Sequence, residues 1–256
     1  MKLLSTIGAL CAILASSASA ESPVITLPVR FHIIQGVTME VKGQKMDMWV
    51  KPADVKGPLL TEINRIWKPA DIQFVIERID EETALNPPDR DGLLEDVRNA
   101  KRVDKGESDD NRVAKIMRFF DPSHWHKTAL NVYLFPYIGG TFQGVAQGGG
   151  NRLIVGVWTD KPSHGTKPPV QTLLVEPEPM RVGSLGRTLS HELGHNLGLK
   201  HPGPDNPATD LLMGGRKQGY LLTPAQIATA KESAKKHLTA EPREFAAKKT
   251  TTATSR

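Results

Sequence analysis

Apolar residues along this 256-residue chain recur at two spacings, and the changes from one to the other mark its elements. Val24 to Ile34 is rich in β-branched and aromatic residues and predicts a strand, with His32 an ordinary strand residue inside it. Val55, Leu59, Leu60, Ile63 and Ile66 then fall at helical spacing, so Asp54 to Trp67 should form a helix that stops before Pro69. Alternation returns over Ile72 to Ile79, with positions 72, 74 and 76 on one face, and predicts a second strand. Ala129 to Tyr137 is almost continuously apolar, as suits a strand in the middle of a sheet covered on both faces. Two shorter runs follow after glycines, Phe142 to Gln147 and Arg152 to Trp158. Gly183 to Leu197 is helical again, its buried stripe carried by Leu185, Leu189 and Leu193. A last helix opens at Thr223-Pro224-Ala225-Gln226, threonine as N-cap and proline in the first turn, with Ile227, Ala230, Ala234 and Leu238 on its apolar face.

The intervals between these elements say less. Glu81 to Lys127 opens with a turn at Asn86-Pro87-Pro88-Asp89, and two short helices are expected around Leu93, Leu94 and Val97 and around Val113, Ile116, Met117 and Phe120. Asp104, Glu107, Asp109 and Asp110 do not have calcium-loop spacing and read as a solvated acidic loop, so calcium is not expected. His124 and His126 flank Trp125 with no third partner in view and read as structural. Lys161 to Met180 holds five prolines and should be an irregular loop near the cleft.

Composition changes the picture in two places. Met1 to Ala20 has a charged start, an apolar run and a small-residue cleavage site at Ala18-Ser19-Ala20, the marks of a secretory leader too short for a membrane anchor. The single cysteine, Cys11, lies inside it, so an exported chain beginning near Glu21 would have no disulfides and would reach a periplasm or the medium. The formal charge of +5 is spread along the chain and does not argue for nucleic acid. Residues 241–256 are polar and should form a disordered tail.

The chemistry is concentrated in His191-Glu192-Leu193-Gly194-His195-Asn196-Leu197-Gly198-Leu199-Lys200-His201. His191 and His195 are four apart and share a helix face, so both imidazoles can reach one ion. Gly198 can end the helix in the left-handed conformation and bring His201 in from the side. Three histidines leave a fourth zinc position open for water, which is a catalytic arrangement, and Glu192 is suited to take that water's proton. The bland alternative is an HExxH sequence arising by accident on an amphipathic helix; the full HExxHxxGxxH pattern is far more restrictive.

This pattern resembles the signature of the metzincin zinc peptidases, and Leu211-Leu212-Met213-Gly214-Gly215 resembles their methionine turn. His201-Pro202-Gly203 is similar to the serralysin branch, although Gly215 stands where serralysins have a tyrosine and no glycine- and aspartate-rich calcium repeats occur. The resemblance implies an α/β (α+β) fold: a twisted mixed sheet with a backing helix and the zinc helix in an upper part (21–198), and a small lower part (199–240) carrying Met213 as an apolar floor under the metal. It implies that Phe142, Gly144, Val145 and Ala146 belong to an edge strand pairing with substrate main chain, and that Tyr220 could contribute oxyanion support. It implies one catalytic zinc ion, a protein or peptide substrate, and either activity once metallated or control by a separate protein inhibitor; a monomer is expected, with the oligomeric state left open. A secreted binding module with structural zinc, or a protease restricted to one partner protein, are the competing expectations.

Overall fold

The computed structural model describes residues 23–83, 122–138, 143–159, 167–175, 183–202, 210–214 and 219–239. The leader, the two short helices expected between 81 and 127, Phe142, most of the proline-rich interval and the tail lie outside these residues. A five-stranded sheet is ordered β4-β1-β5-β7-β6, where β1 is Ile25–Gln35, β4 Ile72–Thr83, β5 Leu130–Phe135, β6 Gly144–Ala146 and β7 Arg152–Gly156. β1 pairs in parallel with β4 and β5, β5 in parallel with β7, and β6 runs antiparallel to β7. The fold is therefore the mixed α/β arrangement that the alternation of periods implied. Two small antiparallel pairs flank it: β2 (Met39–Val41) with β3 (Gln44–Met46), and β8 (Trp158–Thr159) with β9 (Val170–Gln171). The run expected to reach Trp158 thus stops at Gly156, and β9 falls inside the proline-rich interval.

The sheet separates two apolar layers. Leu27, Val29, Phe31, Ile33, Val132 and Leu134 pack on one face with helical residues that include Ile63, Leu189 and Ala230, while Ile34, Tyr133, Phe135, Val145 and Ile154 pack on the other. β5 is buried at every position, as its unbroken apolar run required. The backing helix starts at Pro52, two residues earlier than expected, and comprises Pro52–Asp54, a π-helical stretch Val55–Leu59 and Leu60–Trp67. Pro58 lies in the π-helical stretch; a wide turn accommodates a residue that cannot donate a backbone hydrogen bond. Asn64 ties this helix to β4 by donating to the Phe74 carbonyl (3.0 Å) and accepting from the Phe74 amide (2.8 Å).

β4 departs from the expected plain alternation. Val29 pairs with Ile76 but Arg30 pairs with Arg78, so Glu77 is an extra residue in a β-bulge. Because side chains alternate between faces, one inserted residue inverts the facing of everything after it. Ile79 consequently joins the helix-covered layer opposite Phe31, and Asp80 and Glu82 turn to the opposite face with their register partners His32 and Ile34. Strand pairing continues to Thr83, four residues past the expected end.

The histidine helix, Leu185–Asn196, buries Leu185, Leu189 and Leu193 completely, so the leucine stripe does what its spacing indicated. Ser184 caps it by accepting from the Arg187 amide (3.1 Å). The C-terminal helix, Pro224–Thr239, opens with a reciprocal cap in which Thr223 Oγ1 accepts from the Gln226 amide and Gln226 Oε1 accepts from the Thr223 amide. Among the described residues no helix is long and apolar enough to cross a membrane.

Candidate active site

The helix brings His191 and His195 onto one face, and the chain then reverses at Gly198, whose φ of 77° is open to glycine and strained for other residues. The reversal is held by Leu199 N donating to Gly194 O and Gly198 N donating to His195 O (both 2.9 Å). It delivers His201 so that its Nε2 lies 3.0 Å from His191 Nε2 and 3.2 Å from His195 Nε2. Burial falls along the set, from buried His191 through half-buried His195 to exposed His201, so the group opens toward solvent on one side.

Two carbonyls fix which nitrogens converge. His191 Nδ1 lies 2.7 Å from Leu212 O, and His195 Nδ1 lies 2.8 Å from Leu199 O. A carbonyl can only accept, so each Nδ1 carries the proton and each Nε2 presents a lone pair toward the common point. Lone pairs at this separation repel unless a cation lies among them. Nitrogens sharing a tetrahedral zinc ion are about 3.3 Å apart, from metal–nitrogen bonds of about 2.0–2.1 Å. The donor set and its spacing therefore fit zinc. Burial, first, and the Arg187 guanidinium hold His191 well below the ordinary histidine pKa, against the opposing pull of the Leu212 carbonyl, which keeps the ring in its neutral, metal-binding form.

Met213 is fully buried, and a Cβ on Gly194 would meet its Sδ at 2.6 Å. The methionine sulfur is thus packed against the histidine helix between its two ligand positions. Leu211 to Gly214 form a tight turn closed by Gly214 N donating to Leu211 O (3.0 Å), and Leu212 N donates to Leu221 O (2.8 Å). Sequence reasoning did not single out Arg187, yet it is buried beneath this turn. Its Nη2 donates to Leu212 O (2.8 Å) and Gly214 O (3.3 Å), and its Nε donates to Gly219 O (3.3 Å). Leu212 O therefore accepts from both Arg187 and His191. The only sequence clue was a cation on the helix one turn before the first histidine.

Glu192 is buried and lies against β6: a Cβ on Gly144 would meet its Oε1 at 2.5 Å. Gly144 is thus the residue type that leaves room for this carboxylate. β6 is the terminal strand of the sheet, antiparallel to β7, with Gly144 and Ala146 on the helix side and Val145 in the opposite layer. Asn196 fastens the helix to this edge by donating to Gln147 O (2.9 Å) and Arg152 O (3.1 Å). The ring of Tyr220 sits 4.6 Å beneath the Arg65 guanidinium on the backing helix.

No family model matches this chain, and no curated protein matches it by sequence. Solved structures do overlap with it. An archaemetzincin from Methanopyrus kandleri aligns over 84% of this chain and 99% of its own, at 13% identity and a TM-score of 0.40. Metalloproteinase-II from Bacteroides fragilis aligns over 84% of this chain and 55% of its own, at 14% identity and a TM-score of 0.41. A zinc-dependent peptidase from Methanocorpusculum labreanum aligns over 79% of this chain and 99% of its own, at 11% identity and a TM-score of 0.34. At these values the overlaps stand as observations, and the case for function rests on this chain's own residues.

Proposed function

We propose that this chain is a zinc-dependent endopeptidase of metzincin type, exported by its leader and acting as a monomer on protein or peptide substrates in a periplasm or outside the cell. The observation that carries the reading is the convergence of three imidazole Nε2 atoms beside a buried glutamate whose carboxylate abuts an edge strand. His191, His195 and His201 would hold the ion, which supplies Lewis acidity and a water of lowered pKa when bound. Glu192 accepts the proton of the attacking water on its carboxylate and returns it to the nitrogen of the leaving amine. The outer edge of β6, through Gly144, Val145 and Ala146, binds an extended substrate by main-chain hydrogen bonds, with Phe142 assigned to the same rim. Met213 acts as an apolar support for the histidine helix. Tyr220, whose ring packs under Arg65, is assigned to oxyanion support.

The test is cleavage of a quenched fluorescent peptide mixture by the purified chain, before and after chelation and after zinc is restored. Cleavage that disappears with the metal and returns with it supports the reading. Zinc bound at the three histidines without cleavage of any peptide would replace it with a binding module, and cleavage of one protein only would narrow it to a processing enzyme.

A further inference from the structure

The face of the sheet turned away from the histidine helix carries a second group of ligand-bearing side chains. His32 of β1 and Asp80 and Glu82 of β4 each place one ligand atom within 4.8 Å of the others. His124, in the short turn Pro122–His124 before β5, brings its Nδ1 to 3.3 Å from Glu82 Oε2. His32 is fully buried and Glu82 is 6% exposed, which is costly for titratable groups without a strong partner. The bulge at Glu77 is what puts both acids on the face of His32.

The orientation of His32 follows from its neighbours. Asn131 donates through Nδ2 to the carbonyls of His126 (2.8 Å), Ala129 (2.9 Å) and Asn151 (3.3 Å), and its Oδ1 accepts from the His126 amide (3.0 Å). The atom it turns to His32 Nε2, at 3.3 Å, is therefore an acceptor, so Nε2 carries a proton. Nδ1 points at Glu82 Oε1, 2.5 Å away, and the ring plane is fixed by stacking on Tyr133 at 4.2 Å. A ring anchored through one nitrogen to a fixed oxygen, its other nitrogen aimed at a carboxylate pocket, is the way protein imidazoles are prepared for metals. Glu82 Oε2, buried without a hydrogen bond of good geometry, faces the same space. Asp80 takes Arg78 Nε on Oδ1 and has a second oxygen to offer.

We propose that His32, Glu82 and Asp80, with His124 held against the outer oxygen of Glu82, form a binding site for a divalent transition-metal ion that pins β4 to β1. Mixed imidazole and carboxylate donors suit zinc or manganese and not calcium, which takes oxygen ligands. The site is independent of catalysis: it lies on the other face of the sheet and would stand if the three-histidine group proved non-catalytic.

The test uses the full chain without an affinity tag, with Cys11→Ser so that no thiol competes, stripped of metal and titrated with zinc. Zinc retained through gel filtration is counted by elemental analysis. The expected count is two per chain, falling to one in His191→Ala/His195→Ala and to one in Glu82→Gln, with zinc-dependent peptide cleavage kept only in the latter. Zinc-free His191→Ala/His195→Ala protein that is folded by circular dichroism would overturn the site, and this arm does not depend on how Glu82→Gln folds.

Discussion

Each face of the sheet presents histidines oriented by hydrogen bonds to chosen oxygens, but the two groups are assembled differently. On the helix side, all three histidines fall between positions 191 and 201, and one helical turn plus one glycine reversal bring them together. On the other side, the group is drawn from positions 32, 80, 82 and 124 and exists only because three strands pair in one register. A helix encodes proximity in spacing. A sheet encodes it in register, which a single residue can invert.

The sharpest break of the comparison is on the helix side. Glu192→Ala should leave fold and zinc content intact and lower peptide turnover by about 10²–10⁴-fold, the usual worth of a positioned general base; turnover within a few-fold of the parent would remove Glu192 from the reaction. Gly144→Ala drives a methyl group into that carboxylate. It should lower kcat/KM by about 10²-fold through misplacement of the base while zinc stoichiometry is unchanged.

Arg187→Met asks whether the buried guanidinium organises the site from behind. Leaving the carbonyls of Leu212, Gly214 and Gly219 without this donor should cost about 3 kcal/mol in urea unfolding, since each abandoned buried acceptor costs about 1–3 kcal/mol and neighbours do not add fully. Zinc affinity should drop about 10–100-fold, because Leu212 O also orients His191. Unchanged affinity in a destabilised protein would confine Arg187 to the fold.

The smallest effect tests the bulge. Arg30, whose Nη2 donates to Glu77 Oε1 at 2.9 Å, holds the Glu77 carboxyl below the ordinary carboxylate range, with burial opposing and His126 assisting. A depressed folded pKa means stability that is present above the unfolded value, about 4.3, and lost as pH falls through the lower folded one. Glu77→Gln should therefore cost about 0.5 kcal/mol at neutral pH, a partly exposed pair being heavily screened, and progressively less as the pH falls below the unfolded carboxyl value. A cost that persists in acid would mean that Glu77 serves the bulge by shape and not by charge.

These differences account for what was legible in the sequence. The histidine helix, its leucine stripe, the Gly198 reversal and the threonine cap of the last helix all rest on residues within one or two turns of each other, and spacing alone finds them. The strand positions of β1, β5 and β7 followed from apolar runs. The bulge at Glu77 did not, because position 77 is polar in either register until its partner strand is known. His32 and His124 therefore read as isolated histidines, although they lie beside one carboxylate in space. Arg187 was missed for a related reason: its acceptors are backbone carbonyls, which every residue has and no motif records.

The Leu212 carbonyl sets an order of assembly. A chain made from its N-terminus presents all three histidines before residue 212 exists, so the nascent motif has its ligands but not the acceptor that aims His191. With the three histidines holding zinc as proposed, tight capture would wait for the turn at 211–214 to dock, and a chain truncated before it would carry the complete signature with a loose grip on the ion.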